Sequence, residues 1–186
     1  MKALTSFLLA GFCFGVLSCG EKEEPEQNLT AAMGEAAPDF SFVDIATGKA
    51  GKLSDHKGKV VVAKFWWSKC GLCNDGLDHL QTFIGEHPDW DDDVVYLAVG
   101  IDPKKKAAED HLAKVEADEA RSWSRIRTSW LDAEGGKSPV YRAYVESMGV
   151  PVSYLIDREG KIAAINGPTS PEELDLDKAV RAVLER

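Results

Sequence analysis

The chain has 186 residues, 44% of them hydrophobic and 28% charged, which fits one folded domain with length left over for a leader or linker. Its formal charge of -9 excludes a phosphate backbone as principal ligand, because such binding relies on Lys and Arg displacing counterions. The local basic run Lys104-Lys105-Lys106 is too small to reverse that and reads as a solvated helix start.

Residues 1–18 read as an export signal. Lys2 supplies a small positive start, and Ala3 to Leu17 is apolar and uncharged. That stretch is shorter than the roughly 20 residues a membrane-spanning helix needs. It ends in "VLSCG" (Val16 to Gly20), which resembles the lipobox of bacterial lipoproteins. The resemblance implies cleavage before Cys19 and a lipid on that cysteine, hence a membrane anchor. The alternative, plain cleavage nearby, leaves a free reactive thiol on an exported protein, which is a liability. Of four cysteines, Cys13 then leaves with the signal and only Cys70 and Cys73 stay in the folded part.

Residues 19–37 form the next unit, the lipidated cysteine followed by a Glu-rich stretch with almost no large apolar residue. Such a composition cannot bury enough surface to offset chain entropy, so a flexible tether is expected. The domain proper is expected over residues 38–186. "DFSFVDI" (Asp39 to Ile45) alternates apolar and polar and predicts a strand, with a turn at Thr47-Gly48. "KVVVAKFWW" (Lys59 to Trp67) is β-branched and aromatic on both faces, as a central strand covered on both sides requires. Asn74 to His87 carries Leu77, Leu80, Phe83 and Ile84 at helical spacing. "DVVYLAVGI" (Asp93 to Ile101) predicts a second buried strand. Pro103 suits a first helical turn, with a thin-faced helix running toward Ala120 at the edge of the domain. A short helix is expected over Ser138 to Met148, then a hairpin of "VSYLID" (Val152 to Asp157) and "KIAAIN" turning at Glu159-Gly160. A last helix, Pro171 to Arg186, opens with Ser170 and Glu173 as a capping box. The pattern predicts an α/β fold, a central mixed sheet with helices on both faces.

Cys70 and Cys73 stand where the second strand hands over to a helix. Unpaired N–H groups and the helix dipole favour negative charge there, and helix starts in C-x-x-C motifs lower a thiol pKa to roughly 3.5–7.5. Lys69 adds a neighbouring cation. Cys70 is therefore the candidate nucleophile and Cys73 the candidate resolving thiol, a pair that cycles between dithiol and disulfide with no bound cofactor. A purely structural disulfide would close a very short loop and remove little unfolded-chain entropy. Zinc normally takes four ligands, and His56, His79, His87 and His111 lack ligand spacing to the pair, so no metal is expected. C-type haem attachment needs a histidine where Asn74 stands. The run "DWDDD" (Asp89 to Asp93) lacks the spacing of a calcium loop and reads as a solvated turn. Trp66 and Trp67 read as core and rim packing, one of them bordering a groove.

Strand, C-x-x-C at a helix start, strand, helix, then "GVPVSYLID" ahead of a hairpin resembles the thioredoxin superfamily. More narrowly, residues 37–73 and 149–174 are similar to the TlpA/ResA-like branch of membrane-tethered bacterial thiol–disulfide oxidoreductases, while 104–137 matches less closely. The resemblance implies a thioredoxin-like fold, a cis Pro151 facing the cysteines, and a Val150 backbone that pairs an extended substrate segment. It also implies an enzyme of the cell envelope, facing the periplasm or exterior, that keeps exported protein thiols reduced. Its electrons would come from a membrane donor, since no nicotinamide or flavin motif is present. This chain departs from the branch at Lys69, where Trp is usual, and at Leu72, where Pro is common. Lys64 replaces the buried Asp of thioredoxin; as a cation it would favour thiolate, or else it snorkels along the strand edge. Peroxiredoxins share the "APDF" opening but need Pro and Thr where Ala63 and Trp67 stand. A copper-binding or partner-binding module is the other alternative, though copper-delivering relatives usually space their cysteines more widely.

Overall fold

In a computed structural model, the described residues are 31–118, 120–132, 136–168 and 174–186. The expected signal, the lipidated Cys19 and the Ser170–Glu173 capping box lie outside them.

The core of the sheet is β3 (Val60–Trp66), a run of seven residues that is apolar except at Lys64. It pairs in parallel with β4 (Val94–Gly100) and antiparallel with β6 (Val152–Ile156), so neither of its edges is free. Outward from β4 come β5 (Arg127–Trp130), then β1 (Ser41–Asp44) and the edge strand β2 (Ala50–Lys52). On the other side β7 (Ile162–Asn166) closes the hairpin with β6. The sheet is mixed, in the order β2-β1-β5-β4-β3-β6-β7.

Because side chains alternate along a strand, β3 divides its residues between two cores. Val60, Val62 and Trp66 face α1 (Gly71–Glu86), α2 (Lys105–Glu116) and α4 (Leu176–Leu184). Those helices present Leu77, Leu80 and Ile84, then Leu112, then Val180 and Val183. Val61, Ala63 and Phe65 face the opposite way, toward Ala143, Tyr144 and Val145. These belong to a segment that begins as α3 (Pro139–Tyr141) and widens to a π-helical turn over Arg142–Glu146. Helices thus cover both faces, as the apolar run of β3 demanded.

Three expectations need correcting, and two strands lie beyond those expected. Residues 31–37 are not tether: Ala31 N–H donates to Ala143 O, Ala37 N–H to Gly160 O, and Ile162 N–H to Glu35 O, so this stretch is pinned beside β7. The chain entropy argument missed that small residues suffice when the backbone itself supplies the bonds. Pro103 precedes α2 rather than opening it, because Lys104 is still extended and serves as the cap residue. The last helix begins at Leu176, with Asp175 accepting from Lys178 N–H at 3.0 Å. Finally, β5 and β2 were not foreseen. Arg127–Trp130 becomes a strand only because β1 and β4 flank it.

Candidate active site

Helix α1 forms because Cys73, Leu77, Leu80 and Ile84 recur on one face and bury together. It starts where β3 ends, after a turn in which Cys70 N–H donates to Trp67 O at 2.9 Å. Cys70 is the N-cap residue: extended in backbone, it accepts from Cys73 N–H on its Sγ at 3.1 Å. The two cysteines are joined in a disulfide across the first turn, with Cα atoms 5.2 Å apart. Their exposures differ. Cys73 is 0% exposed and belongs to the core beneath α1, whereas Cys70 is only half-buried. The residues around them are open, Gly71 and Lys69 being exposed and Leu72 71% exposed.

The turn that delivers Cys70 is tied from below. Asp102, 1% exposed, accepts from both the N–H and the hydroxyl of Ser68. Its own backbone carbonyl accepts from Trp130 Nε1 at 2.8 Å. On the α2 side, His111 Nε2 lies 2.9 Å from Asn74 Oδ1, next in sequence to Cys73. Burial pushes the His111 imidazole down toward its neutral form, while Asp102 works against that. Neither Asp102 nor His111 was picked out from the sequence as a site residue. The only available signal was a carboxylate immediately after a wholly apolar strand, at the strand end that abuts the cysteines.

Opposite stands the loop ahead of β6. The Val150–Pro151 peptide is cis, as the resemblance implied, and Gly149 precedes it at φ 74°, a conformation that favours glycine. Val150 O lies 4.0 Å from Cys70 Sγ. Sequence positions 70 and 150, eighty residues apart, are therefore neighbours. A cleft of about 330 Å³ runs on from this point, lined by Trp67, Ile101, Pro103, Tyr141, Val145 and Val150. Trp67 is 37% exposed at its rim while Trp66 is sealed in the core, which separates the two tryptophans as expected.

The two lysines part company. Lys69 is exposed beside the pair. Lys64 points to the α1 side of the sheet, its Nζ donating to Ser153 Oγ at 3.3 Å, and burial holds its ammonium below the usual lysine range. It packs against Gly76, where an added Cβ would sit 2.9 Å from Lys64 Cε, so it reaches beneath the helix one turn past Cys73.

A sequence model of the AhpC/TSA family matches residues 33–165. Among curated proteins, the chain is 26% identical over 149 residues to the thioredoxin-like protein YneN of Bacillus subtilis (strain 168), with 77% of this chain and 79% of that one covered. It is 24% identical over 158 residues to the thiol-disulfide oxidoreductase ResA of Geobacillus kaustophilus (strain HTA426), covering 84% and 81%. Among solved structures, the fold is similar to a thiol:disulfide interchange protein from Bacteroides sp., with a TM-score of 0.60, 25% identity, and 86% of this chain and 93% of that chain covered.

Proposed function

The chain belongs to the AhpC/TSA family and has the thioredoxin-like fold of thiol–disulfide oxidoreductases; from that premise we propose that Cys70 and Cys73 are its working pair. The observation that carries this reading is the asymmetry of the disulfide: one sulfur half-open at the helix start beside a cis-proline loop, the other sealed. A sulfur that must meet a bulky substrate has to be reachable, and one that only releases it does not.

The chemistry proceeds by exchange. With the pair reduced, the Cys70 thiolate attacks one sulfur of a protein disulfide, forming a mixed disulfide and expelling the other substrate sulfur as a thiolate. Cys73, as thiolate, then attacks Cys70 Sγ and releases the second substrate sulfur. Two electrons have passed to the substrate, and the pair is left as the Cys70–Cys73 disulfide. Helix N–H groups stabilise the anion on Cys70, and Lys69 beside the pair and Lys64 beneath α1 add positive charge. An extended substrate segment pairs with the Val150 backbone at Pro151 and continues into the cleft bordered by Trp67 and Tyr141. The substrates are exported proteins, and a membrane electron donor restores the dithiol. Residues 1–18 are the export signal, Cys19 carries the lipid anchor, and the domain works in the cell envelope, facing the periplasm or the cell exterior.

The family also favours weighing a peroxidase, but the Pro and Thr that would flank a peroxidatic cysteine are Ala63 and Trp67 here. Replacing Cys73→Ser in cells should trap exported proteins on Cys70 as mixed disulfides that a reductant releases. Purified wild type should reduce a small-molecule disulfide and leave hydrogen peroxide untouched. No trapped species, together with wild type inert toward the disulfide, would end this reading.

A further inference from the structure

Lys64 is out of place in β3. Its neighbours Ala63 and Phe65 are fully buried, and the strands on both sides hold it in register with Ala98 and Ser153. A cation in the middle of an apolar sheet is costly unless something pairs with it. Among the described residues no carboxylate does so: the one hydrogen-bond partner is the Ser153 hydroxyl, and burial alone shifts its protonation, with no opposite charge to compensate. The fold nevertheless keeps room for the amine. Gly76 sits inside α1, where glycine weakens a helix, and a methyl there would lie 3.0 Å from Nζ.

The amine opens on a cavity of about 370 Å³ whose wall also includes Ser153, Asn166, His79, Phe83 and Leu176. A small concave site with a mostly apolar lining and a few convergent polar groups is the usual form of a small-molecule site. An ammonium with no carboxylate partner among the described residues, set beside hydrocarbon, selects a ligand with both characters. We propose that this cavity binds a small carboxylate bearing a short hydrocarbon tail, the carboxylate on Lys64 and Ser153 and the tail along Phe83 and Leu176. The charge of Lys64 then gains the partner that the described residues do not supply, and the apolar wall is covered.

The probe is hexanoate, with hexanol and hexylamine as controls, titrated into the full chain. Binding is followed by calorimetry and by the amide resonances of Gly76, Ser153 and Asn166. Hexanoate should saturate these shifts and bind at least about tenfold tighter than hexanol, a difference of the size one good charged contact gives. Lys64→Met should remove that margin and leave hexanol unchanged. Gly76→Ala, whose methyl displaces the amine while the lysine stays, should weaken hexanoate as well and serves if Lys64→Met fails to fold. Shifts that never saturate, either control binding as tightly as hexanoate, or full hexanoate affinity in Lys64→Met would each overturn the site. None of these readouts involves thiol exchange, so this proposal and the redox reading stand or fall separately.

Discussion

The two faces of β3 are built to different rules. On one, Phe65 stacks on Tyr144 at 5.0 Å, and Tyr144 meets Tyr154 edge-on at 4.9 Å. Both phenols are buried with a partner, Tyr144 donating to Pro38 O at 2.6 Å and Tyr154 to Tyr144 O at 2.7 Å. On the other face, beneath α1, Trp66 Nε1 and the Tyr96 hydroxyl are buried with no hydrogen-bond partner among the described residues, and Lys64 has only a serine. Unmet polar groups are expensive inside a protein, and native folds keep few of them. Two such atoms and the lysine lie on the face that holds the disulfide, while the other face has His56 Nε2, whose ring stacks on Phe42. One face carries the aromatic cluster and, at Tyr141 and Val145, a wall of the cleft; the other carries the buried lysine beside the disulfide.

The separation is tested hardest on the aromatic face. Phe65→Ala removes a fully buried ring from the aromatic cluster, and it should cost about 3–5 kcal/mol of unfolding free energy in urea titration. Disulfide exchange per folded molecule should stay at the wild-type rate, because Phe65 points away from α1. A fall in exchange beyond the folded fraction would mean that the faces are not independent.

Tyr144→Phe is a milder probe of the same face. It leaves Pro38 O without its donor and keeps the ring contacts, so a loss of about 1–3 kcal/mol is expected, with exchange again unchanged. Because that bond ties residue 38 to the far helical turn, amide protection around residues 31–38 should fall with it. Undiminished protection there would show that the phenol does not anchor the start of the domain.

How much of this division was readable beforehand depends on the residue. The apolar run of β3 named the central strand, and Cys70 at its end named the site, because both signals are local. Lys64 stood out as an anomaly in the run, but its seat under Gly76 depends on α1 folding back over the sheet. Asp102 had only its place after an apolar strand to mark it, since its meaning comes from Ser68, thirty-four residues earlier. β5 was hidden for a similar reason. "RTSW" has little apolar pattern, and Ser129 is buried only because its hydroxyl bonds Ala98 O and its neighbours are strands. Residues 31–37 misled in the opposite direction, their composition looking like tether while their backbone bonds to the domain.

The smallest expected effect is the most direct reading of the open face. Burial disfavours the Lys64 ammonium in the folded chain, while in the unfolded chain the amine titrates near its ordinary 10.5. Between the depressed folded value and 10.5 the unfolded state holds the extra proton, so stability must rise with pH across that window. Below the window both states are charged and the full penalty applies. The buried phenols Tyr144 and Tyr154 act the other way once pH passes their ordinary 10.0, because burial raises their folded values and the unfolded chain ionises first. The clean range is therefore from neutrality to just below that point. Over it, urea unfolding should show Lys64→Met more stable than wild type near neutrality, with the gap narrowing as pH rises. A gap that stays constant would mean the ammonium is as well solvated in the fold as outside it, and the contrast between the two faces would lose its clearest member.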